Sequence, residues 1–370
     1  MDRKPMIETS TIDVRHDAGT GNKCVNQYVM QATLGKGSYG KVKLAIDETT
    51  GAQVAIKIVN KARLKKKRTF GRFGVIDPLS GIRQEVAVMK KLDHVNVVKL
   101  LEVIDNPDAE KLYLVMEFVA RGPILDLRSD ACEPLPEPVC RSYMRDIVNG
   151  LRYLHFNHIA HRDIKPENLL LSDSTAVSPC GTVKIADFGV SLLFEGDNDF
   201  VKATAGSVAF MAPEMCAPDS FMYSAKKTDV WSAGVTLFAM VFGQCPITAT
   251  STAEMYDRIC NSTLTLPWPI HPRQEHLIRR MLDKNPDTRI TLDEIKKDPW
   301  LIGDGVTADD HFERVSVTVD DVDKALTLVN RVVMLVRLKT KVGRIRRSIR
   351  GLPPTKSGTS DDIKDSPTSP

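Results

Sequence analysis

No two cysteines in this chain are spaced as CxxC. The seven present (Cys24, Cys132, Cys140, Cys180, Cys216, Cys245 and Cys260) are scattered and odd in number. That argues against a disulfide or zinc framework and fits reduced thiols, so a cytoplasmic setting is expected, with the nucleus also open. Long apolar runs are missing too. The longest, 232–243 (SAGVTLFAMVFG), is about half the ~20 residues a membrane span needs, and it reads as a buried core helix. No transmembrane segment is expected, and MDRKPMIETSTIDVRHD has no apolar h-region of a signal peptide. Asp2 stands where myristoylation needs glycine, and SPTSP is no prenylation signal. Charge of one sign is scarce as well. With 51 Lys and Arg against 47 Asp and Glu, the net charge of +4 is too mild to call for a nucleic-acid partner. No internal repeat stands out, and a monomer is expected. What remains is 370 residues of ordinary globular composition, enough for one large domain or two lobes with short tails.

The organisation changes along the chain. Residues 1–27 are polar and aperiodic and are expected to be a mobile tail. From 28 to about 58 the pattern alternates and is punctuated by glycine, which predicts strands joined by turns at Gly37–Tyr39 and Glu48–Gly51. The basic run 61–68 reads as a solvated loop, with a docking patch as the alternative. In 82–92 the apolar residues Ile82, Val86, Met89 and Leu92 recur at helical spacing, predicting one buried face. Strand-like segments follow at 97–104 and 111–118. Beyond Pro123 the chain turns helical. The expected fold is α+β and bilobal: a small β-rich N-lobe (28–119) with one key helix, then a larger α-rich C-lobe (120–301). Residues 302–350 are expected to be a regulatory segment and 351–370 a disordered tail.

Four motifs carry chemistry. Gly35, Gly37, Gly40 and Val42 form a GxGxxGxV loop whose glycines let backbone N–H groups close over a polyphosphate. Such loops also serve dinucleotides, but this one leads into a strand rather than a helix. Lys57 interrupts the apolar strand VAIK. A buried ammonium needs a partner, and a phosphate or Glu85 on the 82–92 helix can supply one, unless Lys57 snorkels to the strand edge. The strongest signal is HRDIKPEN, with His161, Arg162, Asp163, Lys165, Glu167 and Asn168, followed by Asp187-Phe188-Gly189. Phosphoryl transfer needs such a set, because its loose transition state asks mainly for positioning and charge neutralisation. Asp187 and Asn168 offer hard oxygen ligands to Mg²⁺. Asp163 would accept the hydrogen bond of an incoming hydroxyl. An ordinary carboxylate, with a pKa of about 4, is a weak base for an alcohol, so orientation is its expected contribution. Lys165 would balance charge on the phosphoryl group. A structural salt-bridge network is the plain alternative.

Together these motifs resemble the protein kinase signatures over residues 28–301. The resemblance implies the kinase fold and ATP with Mg²⁺ as cofactors. It implies ATP contacts from Leu34, Gly35, Gly37, Gly40, Val42, Ala55, Lys57, Met116, Glu117, Val119, Glu167, Asn168, Leu170 and Asp187, with Met116 as gatekeeper. It further implies a Glu214–Arg289 pair, Asp229 as brace of the catalytic loop, and, through Lys165, serine/threonine specificity. A pseudokinase scaffold is the rival reading, although such proteins usually lose the counterparts of Lys57, Asp163 or Asp187.

Segments 90–105, 112–123, 183–199, 204–214 and 315–325 further resemble calcium/calmodulin-dependent protein kinase kinase and the related kinases that activate AMP-activated and sucrose-non-fermenting kinases. That resemblance implies another kinase's activation-loop threonine as substrate, with ordinary protein substrates as the alternative. Two departures matter. The region after the Lys57 strand has a single proline, where animal members carry an Arg/Pro-rich insert, and Ser207-Val208 replaces the family's usual Thr-Pro. Ser207 keeps a hydroxyl near Asp163. Thr204 aligns with an activation-segment phosphosite, and Arg162 could receive its phosphate.

Between 304 and 323 there are seven acids and one arginine; between 331 and 350, eight Lys/Arg and no acid. Leu328, Val332, Leu335, Leu338, Val342, Ile345 and Ile349 step by fours and threes, which predicts a basic amphipathic helix. Calmodulin binding, docking on the kinase domain, and membrane or nuclear targeting are all open for it.

Overall fold

A computed structural model describes residues 6–326 apart from 18, 38–39, 67–68, 72–73, 77, 128–131, 177, 195, 197, 203–204, 218–221 and 304–311. Three short strands come first, β1 (Ile7–Thr9), β2 (Val14–His16) and β3 (Lys23–Val25). The long β4 (Tyr28–Gly37), β5 (Gly40–Asp47) and β6 (Gln53–Asn60) follow, then α1 (Lys61–Lys66), a small hairpin of β7 (Thr69–Gly71) and β8 (Gly74–Ile76), α2 (Pro78–Lys91), β9 (Leu100–Asp105) and β10 (Lys111–Glu117). Eight of these strands form one sheet in the order β1-β9-β10-β6-β5-β4-β3-β2. Its centre is apolar: Ile56, Leu112, Leu114 and Val115 are fully buried, each such side chain contributing about 1.5–3 kcal/mol.

Three expectations are corrected here. Residues 7–25 are not a mobile tail but three strands of the sheet. Cys24 and Val25 are fully buried, and Thr9, Gln27 and Tyr28 all bond the buried Glu102 carboxylate on β9, Tyr28 at 2.6 Å. A polar, aperiodic stretch can still add edge strands when a buried carboxylate needs its donors. The run at 61–68 is not a loop at its start: Lys61 opens α1, buried against Asp105 Oδ1 at 2.7 Å and Asn106 O at 2.9 Å. The helix predicted over 82–92 starts four residues earlier, at Pro78, a residue suited to a first helical turn.

The second lobe is helical. It contains α3 (Glu137–Phe156), β11 (Ile159–Ala160), a 3-10 turn at Pro166–Asn168, the hairpin of β12 (Leu169–Leu171) and β13 (Val183–Ile185), β14 (Leu192–Leu193) and β15 (Phe200–Val201). After these come α4 (Pro213–Cys216), β16 (Tyr223–Ser224), α5 (Ala225–Phe242), α6 (Thr252–Asn261), α7 (Pro272–Met281), α8 (Leu292–Lys296) and α9 (Pro299–Ile302). A final short helix, α10 (Val319–Lys324), lies beyond the lobe.

Two helices position the site. Cys140, Met144, Ile147, Leu151 and Leu154 give α3 a fully buried stripe. Within it, a Cβ at Gly150 would lie 2.7 Å from Ile185 Cδ1 and 3.0 Å from Asn96 O, so only glycine lets β13 come this close. Helix α5 is buried nearly all round, capped by the Ser224 side chain and ended by Gly243 in the left-handed conformation (φ 68°). The apolar run at 232–243 is therefore core. Among the described residues no helix is long and apolar enough to cross a membrane.

Candidate active site

The site lies where the sheet meets the second lobe, and register fixes its upper wall. Along β6, Lys57 stands opposite Val42 on β5 and Leu114 on β10, while Ala55 stands opposite Leu44 and Met116. Leu34 is exposed, Val42, Met116 and Leu170 are half-buried, and Ala55 and Val119 are buried. At Gly40 a Cβ would fall 2.0 Å from the Ile58 carbonyl, so β5 and β6 touch there only through glycine. A Cβ at Gly35 would meet nothing within 4 Å, which leaves open space along that strand. The turn expected at Gly37–Tyr39 falls where β4 meets β5, with Gly37 paired to Gly40; 38–39 lie outside the described residues.

Lys57 Nζ bonds Glu85 Oε1 of α2 at 2.5 Å and Asp187 Oδ1 at 3.0 Å. It does not snorkel; its side chain is 7% exposed. Burial favours the neutral forms of the pair. For Lys57 the two carboxylates overcome that cost and hold the ammonium above its ordinary value. Burial leaves the Glu85 carboxyl above its ordinary range although Lys57 pulls it back. We take the pair as charged, because the ammonium meets two carboxylates. Burial would also raise Asp187, yet Lys57 outweighs it and holds the carboxyl below the usual range.

The second cluster sits below. Asn168 Nδ2 donates to Asp163 O at 2.8 Å and to Asp163 Oδ2 at 3.0 Å, and Lys165 Nζ pairs with Asp163 Oδ2 at 2.9 Å. Ser207 donates to Asp163 Oδ1 through its N–H and its hydroxyl, both at 2.9 Å, and the hydroxyl accepts from Lys165 Nζ at 2.6 Å. Ala186 N–H donates to Asn168 O at 2.8 Å, tying this cluster to Asp187. Glu167 keeps a buried oxygen, Oε2, without a hydrogen-bond partner among the described residues.

The backbone of this loop is strained, with Arg162 and Asp187 in the left-handed region (φ 68° and 63°). Asp229 of α5 holds the first. Fully buried, it accepts from His161 N–H at 2.9 Å and Arg162 N–H at 2.7 Å, and meets His155 Nε2 at 2.8 Å. Burial would raise its carboxyl, but His155 and these donors hold it below the ordinary range. Arg289 forks onto Glu214 at 2.6 and 2.8 Å. His155 and Gln84, whose Nε2 donates to Ser191 O at 2.9 Å, belong to no motif and were missed.

The donor set fits a nucleotide with a divalent ion. Asn168 spends its amide hydrogens on Asp163, so its oxygen stays available, and Asp187 engages Lys57 through one oxygen only. Two hard oxygen ligands beside phosphate oxygens are what such an ion takes. No group of three or more His, Cys, Asp or Glu suited to an all-protein metal site occurs among the described residues. Thr204 and the predicted helix from Leu328 to Ile349 lie outside the described residues.

Residues 28–301 match the family model described as a protein kinase domain. A probable serine/threonine-protein kinase of Dictyostelium discoideum is 43% identical over 81% of this chain and 42% of its own length. The serine/threonine-protein kinase GRIK2 of Arabidopsis thaliana is 38% identical over 83% of this chain and 73% of its own length. The calcium/calmodulin-dependent protein kinase kinase of Caenorhabditis elegans is 38% identical over 85% of this chain and 60% of its own length. The chain thus spans about half the length of the Dictyostelium and nematode relatives.

Proposed function

The chain belongs to the protein kinase family and is a serine/threonine kinase using ATP and a divalent metal; from that premise we propose that its substrate is the activation-loop threonine of a second kinase, of the AMP-activated, sucrose-non-fermenting or calmodulin-dependent type. The observation that carries this reading is the similarity to a protein whose own name is kinase kinase. It extends over 335 residues, beyond the kinase domain itself.

In this reading Mg²⁺ is the metal: Asn168 and Asp187 would hold it, and it would supply charge neutralisation for the transferring phosphoryl group. Lys57, fixed by Glu85, holds the phosphates. Asp163 orients the substrate hydroxyl and accepts its proton late, while Lys165 offsets charge on the moving phosphoryl group. Asp163 and Lys165 share the Ser207 hydroxyl, which ties the two side chains together. Calmodulin is proposed as a regulator through 328–349, the chain is taken as a monomer, and seven free thiols favour a cytoplasmic place of action.

The test gives the full chain Mg-ATP and an intact, catalytically dead AMP-activated-type kinase, beside the same protein with its activation-loop threonine changed to alanine and beside a peptide library. Phosphate entering only the threonine-bearing kinase supports the proposal. Equal labelling of the alanine form, or better labelling of short peptides, moves the assignment to a kinase of ordinary protein substrates.

A further inference from the structure

Residues 312–326 lie beyond the stretch that matches the kinase domain, within the segment expected to be regulatory, and take no part in the site described above. Their first part is seated on the end of α3. The Phe312 ring meets His94 and Tyr153 edge-on at 5.7 and 5.8 Å and Phe156 at 5.8 Å, with the Arg152 guanidinium over it at 5.6 Å. Arg314 covers Phe156 at 5.2 Å. Val315 N–H donates to Asn157 Oδ1 at 2.7 Å, and that buried Asn157 is itself fixed through Nδ2 to Tyr153 O at 2.9 Å.

Their last part is α10, which packs against α2. Thr318 and Asp321 close a capping box that starts the helix. Asp321 Oδ1 pairs with Lys91, in the last turn of α2, at 3.1 Å. Ala325 and Leu326, directly after α10, are 3% and 1% exposed. The same residues that seat Phe312 also reach α2: His94, three residues beyond its end, stacks on Tyr153 at 4.6 Å, and Asp93 N–H donates to the Tyr153 hydroxyl at 3.0 Å.

Helix α2 carries Glu85, and the pair with Lys57 tolerates no displacement. A shift of α2 by an ångström or two would break a 2.5 Å contact and leave the buried Glu85 carboxylate without its cation, while Lys57 keeps Asp187. Other ties on α2 come from Ser191 O to Gln84 and from Glu8 to Lys90 at 2.9 Å. Beside the direct contacts of His94 and Asp93 with Tyr153, the stretch 312–326 has one seat on α3, an element of the other lobe, and one on α2.

We propose that residues 312–326 form a strap that positions α2, holding Glu85 in register with Lys57, with Leu326 and the Asp321–Lys91 pair as positioning residues. The strap couples the formation of the Lys57–Glu85 pair to its own seating on α3. This holds whichever protein is phosphorylated.

The test uses the full chain, a generic peptide substrate and four variants: Lys91→Glu, Asp321→Lys, the double swap, and Leu326→Asp. The pair is partly exposed and adds little to global stability, so Lys91→Glu is expected to leave Tm unchanged, Asp321→Lys, which also opens the capping box with Thr318, to lower it slightly, and each to lower kcat about two- to fivefold. The double swap is expected to recover kcat above both single reversals, short of the parent because the capping box stays open. Leu326→Asp is expected to lower kcat about tenfold or more and to speed amide exchange in 78–91 while α5 stays protected. Reversals without effect on kcat, or a double swap no better than its parents, overturn the proposal even if Leu326→Asp fails to fold. So does a folded Leu326→Asp protein with unchanged exchange in 78–91.

Discussion

The Ser207 hydroxyl donates to Asp163 Oδ1 at 2.9 Å while accepting from Lys165 Nζ at 2.6 Å. One small side chain therefore holds both groups proposed to act on the acceptor hydroxyl. Gly206 beside it has φ 103°, where a Cβ would sit 2.4 Å from Arg162 O, so the segment lies directly on the catalytic loop.

Ser207→Ala removes a hydrogen bond to a carboxylate, worth about 1.5–3 kcal/mol. Expressed in the transition state, that lowers kcat about ten- to a hundredfold. Ser207→Thr keeps the hydroxyl and should retain most activity. Steady-state kinetics on a peptide substrate checks both; an alanine variant with full kcat removes Ser207 from the positioning of Asp163.

Lys57→Met leaves Glu85 buried without its cation and takes away the group proposed to hold the phosphates. The expected loss in kcat is about 10²–10³-fold, the usual cost of removing one preorganised charge donor. The fold should survive, which circular dichroism can verify alongside the assay.

Arg289 is fully buried and forks onto Glu214, 10% exposed at its side chain. Glu214→Ala strands that guanidinium and should destabilise the second lobe by about 3–5 kcal/mol. Urea unfolding measures this. A cost under 1 kcal/mol would mean that water reaches Arg289 once the partner is gone.

Asp146 on α3 gives a pH signature. Burial pushes its carboxyl up to about 6, although Val183 N–H, held at 2.8 Å, and Asn96 pull the other way. Its folded value thus lies above the unfolded one of about 3.9. The stability it contributes is complete below the unfolded value and is lost as pH rises through about 6. Asp146→Asn can still accept from Val183 without the charge. Its Tm should exceed the parent's by more at pH 8 than at pH 5, and a gap that does not widen with pH would contradict this.

Much of the site was legible because phosphoryl transfer demands fixed residue types at fixed spacing. Lys57, Glu85, Asp163, Lys165, Asn168 and Asp187 stand within two hydrogen-bonded clusters. The supports were not legible. His155 meets Asp229 across 74 residues and Gln84 meets Ser191 across 107, and no local pattern encodes either. The N-terminal strands were misread for a related reason. Of these, β1 pairs with β9, where Thr9 also meets Glu102 93 residues away, so a short polar stretch carried no periodicity of its own.

By itself the sequence determined the chemistry, since charge, hydroxyl and glycine positions follow from what a phosphate and its metal require. It also determined the alternation of the sheet and the burial of α5, because both depend on apolar spacing. Only the tertiary structure decided that Lys57 keeps two carboxylates and that Ser207 bridges Asp163 to Lys165. It alone showed that 312–326 reaches back to α2. Those contacts join residues distant in the chain, and their strength depends on ångström separations in a desolvated interior, which linear order does not specify.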